Sequence, residues 1–71
     1  MNQFSPAKLH QSKWTATQPR NREKHFIVTR VLRNENDKVV RCLIEAIHSG
    51  REQLIDWQEL RNRENWLQGW Q

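Results

Sequence analysis

Apolar positions, β-branched residues above all, are densest between Lys24 and His48. Ile27, Val28, Thr29 and Val31 are followed, after the polar break Asn34-Glu35-Asn36-Asp37, by Val39, Val40, Ile44 and Ile47. β-Branched side chains fit a pleated, half-buried surface, and an Asn/Asp cluster between two such runs signals a hairpin. The pattern predicts strands His25–Arg33 and Lys38–His48. A four-residue loop at Asn34–Asp37 would set Arg30 opposite Arg41, whereas a two-residue turn at Asn36-Asp37 pairs Glu35 with Lys38. Facing like charges are unfavourable, so the shorter turn is expected. Strict alternation then gathers Ile27, Thr29, Val31, Val40, Cys42, Ile44 and Ala46 on one uncharged face, the expected core. The other face holds Phe26, Val28, Leu32, Val39, Leu43 and Ile47, interrupted by Arg30, Arg41 and Glu45. It is apolar enough to need partial cover. A slip of one residue would exchange the faces, so burial should fix the register.

Shorter elements flank this hairpin. Lys13–Thr17 alternates with Trp14 and Ala16 on one face and predicts a first strand, ended by Pro19 within a polar loop Gln18–Glu23. Ser5-Pro6 can open a helical turn through Leu9, although residues 1–11 are expected to fray. A tight turn at Ser49-Gly50, pairing His48 with Arg51, leads into a strand Arg51–Ile55 and brings Ile55 and Trp57 to the uncharged face. Asp56 and Glu59 stand at capping-box spacing, which predicts a helix from Trp57 to about Arg63. Trp66 and Trp70 would share a face of any further helix, although Gly69 between them weakens one. Leu60, Trp66, Leu67 and Trp70 are the expected cover for the second sheet face. The prediction is one small, mainly β (α+β) domain over residues 1–71: an antiparallel meander of three to four strands with a short C-terminal helical segment. Such a sheet can curl into an SH3-like or Sm-like partial barrel, which reduces exposed edges.

Composition sharpens this picture. A chain of 71 residues lies near the lower limit for a self-supporting core, and its single cysteine, Cys42, permits no intrachain disulfide. Four tryptophans, Trp14, Trp57, Trp66 and Trp70, are expected to supply the missing area. No apolar run follows Met1 or reaches the length of a membrane span. With a lone cysteine, the expected compartment is the reducing cytoplasm, with no membrane partner. The net charge of +4 sits in the first third, where Lys8, Lys13, Arg20, Arg22 and Lys24 face only Glu23. A local basic segment attracts polyanions.

The chemistry of catalysis is missing. His10, His25, His48 and Cys42 lack the close spacing of a zinc site. Cys42 falls mid-strand on the expected core face, where a thiol is structural and not a nucleophile. Ser5, Ser12 and Ser49 stand in no nucleophile elbow, and two glycines make no phosphate loop. The expectation is a protein that is not an enzyme and takes no metal and no cofactor. Two binding roles remain. In the first, RNA or single-stranded nucleic acid meets Lys13, Arg20, Arg22, Lys24, Arg30 and Arg41 as phosphate contacts, with Trp14 as a stacking platform; the competing role for any one tryptophan is the core. In the second, a protein partner meets an apolar surface containing Phe26, Leu32, Leu43, Leu54, Trp66 and Trp70. The basic first third puts nucleic acid ahead.

Four blocks, Lys13-Trp14-Thr15-Ala16, Lys24-His25-Phe26-Ile27-Val28-Thr29, Ile55-Asp56-Trp57-Gln58-Glu59-Leu60 and Trp66-Leu67-Gln68-Gly69-Trp70, give the chain a family likeness. From about Lys8 to Gln71 it resembles the small tryptophan-rich bacterial proteins of unknown function. The resemblance implies a small bacterial single-domain protein. It transfers no activity and no site residue.

Overall fold

The computed structural model describes residues 1–71 and builds the central hairpin from β2 (Glu23–Arg33) and β3 (Val39–Ala46). Their turn is longer than the two residues expected. Asn34 closes it, donating N–H to the Lys38 carbonyl while its own carbonyl accepts from Asp37 N, each at 2.9 Å. Asn34 Oδ1 also accepts from the backbone N–H groups of Asn36 and Lys38. Asp37 completes the turn in the left-handed region at φ 61°, a conformation that Asp tolerates better than most residues.

The larger departure lies inside the ladder. Phe26 pairs with Ala46 and Val28 with Ile44, but Arg30 then pairs with Leu43 and Val31 with Cys42. Thr29 is left over as a β-bulge, and β2 changes phase across it. Phe26 and Val28, assigned to the second face by strict alternation, are therefore core, at 5% and 0% exposure. Ile27 and Thr29 are only half-buried. Val31, beyond the bulge, packs against the core. On β3 the expected core residues Cys42, Ile44 and Ala46 are all fully buried. Val40 is not: a second irregularity follows the Leu32–Arg41 pair, so Val39 packs against the core in its place.

The flanking strands follow. β1 (Lys13–Arg20) runs on through Pro19 to a two-residue turn in which Asn21 and Arg22 both have positive φ. This geometry matches the right-handed twist of a hairpin. Pro19 is tolerated because it lies beyond Ala16, the last β1 residue paired with the C-terminal strand. β4 (Glu52–Asp56) pairs with β3 two residues out of the expected register, Ile55 facing Cys42. The turn takes four residues, with Gly50 at φ 74° donating to the Ala46 carbonyl. An even shift leaves faces unchanged, so Ile55 is buried as expected.

The capping box after β4 forms. Asp56 Oδ1 accepts from Gln58 N at 2.9 Å and Glu59 Oε2 from Asp56 N at 3.3 Å. What it opens is a short 3₁₀ turn, Trp57–Arg61, not a helix to Arg63. Asn62 is already extended, and its carbonyl accepts from Asn65 N and Trp66 N, turning the chain back. The residues expected to continue as helix form β5 (Trp66–Gln68), antiparallel to β1 with Ala16 opposite Trp66.

The result is one five-stranded antiparallel sheet in the order β4-β3-β2-β1-β5. Its edge strands do not meet, so no barrel closes. The N-terminal segment and the 3₁₀ turn Trp57–Arg61 cover the core face, burying Leu9 and Leu60 completely. Phe4 stands edge-on to Trp14 and Trp57, with ring centroids at 5.1 and 5.8 Å. Asn2 donates from N to the Arg61 carbonyl and from Nδ2 to those of Leu60 and Trp66. Residues 1–11 are thus hydrogen-bonded to and packed against the rest of the fold. No helix is long and apolar enough to cross a membrane.

Trp14 is 1% exposed and Trp70 44%. Trp14→Ala should cost about 3–5 kcal/mol, most of the stability of a domain this small, whereas Trp70→Ala should leave the protein folded. Urea denaturation followed by circular dichroism measures both.

Candidate binding surface

The bulge that draws Phe26 and Val28 into the core sends Arg30 outward and so composes the second face. Register fixes its rows. Leu32, Arg41 and Asp56 lie side by side; next come Arg30, Leu43 and Leu54; then Lys13, Ile27, Glu45 and Glu52. A further row joins Leu67, Thr15 and His25, extended by Ile47, whose N–H donates to the His25 carbonyl. Ile47 and Leu54 are each 47% exposed.

The C-terminal residues cross one side of this face. Gly69, at φ 79°, turns the chain off the end of β5, a conformation that favours glycine. Thr15 Oγ1 donates to the Gly69 carbonyl and accepts from Gln71 N, which accounts for its burial. The Trp70 indole donates Nε1–H to the Phe26 carbonyl at 3.0 Å and tilts against His25. Lys13 Nζ stands 4.8 Å from the indole centroid, a cation–π contact. The tail therefore covers the β1–β2 side of the face and leaves the β3–β4 side open.

A pair of carboxylates meets on the open side. Ala46 N donates to the Arg51 carbonyl, which makes those two a hydrogen-bonded pair. Ladder alternation then makes Glu45–Glu52 a non-hydrogen-bonded pair, the kind whose side chains lie closer. Like charges in that position destabilise a sheet. Neither glutamate takes part in an ion pair, the two in the structure being Arg33–Asp37 and Arg51–Glu23. A 3.4 Å contact from Thr29 Oγ1 is the hydrogen bond that reaches Glu52.

The residues expected to bind nucleic acid are dispersed. Trp14 is buried, its Nε1–H donated to Ser12 Oγ, so it offers no stacking face. Lys13, Arg30 and Arg41 lie on the second face among Glu45, Glu52 and Asp56. Arg20 and Arg22 are at the β1–β2 turn and Lys24 at the start of β2, all exposed. The residues expected to meet a protein divide as well. Phe26 is core, and Trp66 packs edge-on against it at 5.2 Å. Leu32, Leu43, Leu54 and Trp70 belong to the second face. Sequence does not single out Glu52; its signal is the position of β4 at a sheet edge, which only the topology supplies.

Two further groups are structural. Glu23 is 4% exposed and takes Arg51 Nη2 at 2.6 Å, Arg51 Nε at 2.9 Å and Ser49 Oγ at 2.6 Å. It thereby ties the β1–β2 turn to the β3–β4 turn. The hydrogen bonds from Arg51, with that from Ser49, hold its pKa down at about 2, and the same pairing raises that of Arg51. Burial, then the charges of Asp56 and Glu59, push the Cys42 thiol up to about 11, which keeps it protonated and unreactive. No three His, Cys, Asp or Glu side chains are grouped to hold a metal ion.

Residues 12–71 match the model of the tryptophan-rich protein family DUF2389. The chain belongs to that family. DUF2389 is a family of unknown function, and the match takes in all five strands and the Trp57–Arg61 turn. No curated protein and no solved structure matches the chain.

The electrostatic layout has two measurable consequences. The folded pKa of Glu23 lies below its ordinary 4.5. Its contribution is therefore complete above pH 4.5 and fades as the pH falls towards 2. Urea midpoints should drop across that window, and Glu23→Gln should flatten the drop. Separately, Glu52→Lys replaces a repulsive cross-strand pair with an attractive one and should stabilise the protein by about 0.2–1 kcal/mol at low salt, read as a higher melting midpoint.

Proposed function

We propose that this DUF2389 protein is a non-enzymatic binding module whose contact surface is the open side of the second sheet face, and that its partner is a protein. One observation carries this reading: exposed Leu54 stands beside Leu43, and exposed Ile47 lies two rows away across the Glu45–Glu52 pair, among charges of both signs. Over the second face as a whole, three cations, Lys13, Arg30 and Arg41, are balanced by three carboxylates, Glu45, Glu52 and Asp56. A polyanion is drawn by a field of one sign, and a balanced face offers none. Apolar residues set among mixed charges suit a protein surface, where burial gives affinity and charge gives selectivity.

Nucleic acid remains the second reading on one specific observation. Gln18, Arg20, Gln53 and Trp66 line an open cleft of about 410 Å³ beside the β1–β2 turn, where Arg22 and Lys24 are close in sequence. Against it, the Trp66 ring is engaged with Phe26.

One comparison separates the readings. Tagged wild type, an Ile47→Lys/Leu54→Lys variant and an Arg20→Glu/Arg22→Glu variant are used for capture from lysate of the native cell, with and without ribonuclease. The expected result is a protein retained after ribonuclease, lost with the first variant and kept with the second, all three proteins having the same urea midpoint. Ribonuclease-sensitive capture lost only with the arginine variant would establish the nucleic-acid reading instead.

A further inference from the structure

The open side of the second face ends at a sheet edge, and the edge has its own chemistry. β4 has β3 on one side and no strand on the other. Glu52, Leu54 and Asp56 occupy the non-hydrogen-bonded positions opposite Glu45, Leu43 and Arg41. Their backbone N–H and C=O groups therefore point away from β3. Asp56 N is already satisfied by Glu59 Oε2. The N–H groups of Glu52 and Leu54 have no partner in the chain.

Building on the protein-partner reading, we propose that this edge receives an extended strand of the partner, with a basic residue beside Glu52 and an apolar residue two positions away beside Leu54. Backbone bonds to an exposed edge give such strand addition its affinity, and alternate side chains give it specificity. On the second face β4 presents Glu52, Leu54 and Asp56 in succession. The Asp56 carboxylate caps Gln58 N and has Arg41 opposite it, so the need for a cation concentrates at Glu52. There a partner arginine or lysine meets two carboxylates, Glu52 and Glu45, and relieves their repulsion. Its apolar neighbour extends the Leu43–Leu54 row.

A second copy of the chain does not suit this edge. Antiparallel self-pairing about Leu54 sets Glu52 against Asp56 of the other copy, and parallel pairing sets Glu52 beside Glu52. Like charges oppose both arrangements, and a strand of the opposite charge has no such barrier.

The test uses the full chain, isotope-labelled, with a blocked heptapeptide Thr-Arg-Thr-Val-Thr-Arg-Thr and a control in which both arginines are glutamate. Hydrogen exchange is followed residue by residue. Gln53 and Ile55 amides, already bonded to β3, should change little. Those of Glu52 and Leu54 should slow by about tenfold when the arginine peptide is held near ten times its dissociation constant, and should not respond to the glutamate peptide. Glu52→Lys, a substitution expected to fold at least as well as wild type, should reverse that preference. Equal response to both peptides, protection at other residues, or no response overturns the proposal. Protection of the same two amides that grows with protein concentration alone also overturns it, in favour of self-association. If the peptide fails while Ile47→Lys/Leu54→Lys still abolishes protein capture, the face binds without strand addition. If that variant captures normally, the underlying reading fails too.

Discussion

The fold turns on keeping Arg30 out of the core. Phe26, Val28 and Arg30 share one phase of β2; Ile27, Thr29 and Val31 share the other. Unbroken alternation on the first phase would bury an unpaired guanidinium, which costs several kcal/mol. On the second it would bury a threonine hydroxyl and leave Phe26 in water. The bulge at Thr29 escapes the choice by burying Phe26 and Val28 before it and turning Val31 inward after it. Cys42, Ile44 and Ala46 on the unbulged stretch of β3 then face apolar partners on β2 throughout. The ejected Arg30 joins Leu43 and Leu54 on the far side, so one local irregularity sets both the core and the character of the opposite surface.

That core is closed without a long helix, a disulfide or a grouped metal-ligand set, and the tryptophans account for much of the closure. Trp14 and Trp57 sit in the centre with Phe4 wedged edge-on between them. Trp66 closes the side next to Phe26. Trp70, three residues beyond Leu67 on the strand, crosses to the other face because Gly69 lets the chain turn over the edge. Both faces of β1 are thereby covered by residues of one short terminal segment. Arg61 over the Trp57 ring, 4.9 Å from its centroid, adds a cation to the outside of the cluster. A domain this small exposes much of its surface, and aromatic area is an efficient remedy.

Much of this is legible in the chain itself. Strand density, the capping box, the buried thiol of Cys42 and the inward Ile55 all follow from local chemistry, and each is present. The misreadings share a cause. Period-two reasoning has no place for an inserted residue, so it puts Phe26 and Val28 on the wrong face. Pro19 reads as a strand end because its tolerance depends on where β5 stops, a tertiary fact. Trp66–Gln68 is a strand because the free edge of β1 is available, which no propensity scale records. Among the candidate binding residues, the charges are visible in the sequence but their neighbours are not. The expected cations split into two groups, Arg20, Arg22 and Lys24 about the β1–β2 turn and Lys13, Arg30 and Arg41 on the second face, and acidic residues of different strands become adjacent.

The Glu45–Glu52 pair is the sharpest instance of that adjacency. Edge strands in natural sheets often carry charge to discourage pairing with another chain, and Glu52 with Asp56 on β4 meets that need unaided. Glu45 lies one strand inward, where it contributes nothing to edge protection and opposes Glu52 directly. The fold gains nothing from the juxtaposition, since a neutral residue at either position would satisfy the ladder equally. Local rules that a protein breaks without structural return tend to mark the surface on which it acts. On the second face of this sheet, the proposed contact surface begins where the tryptophan tail stops.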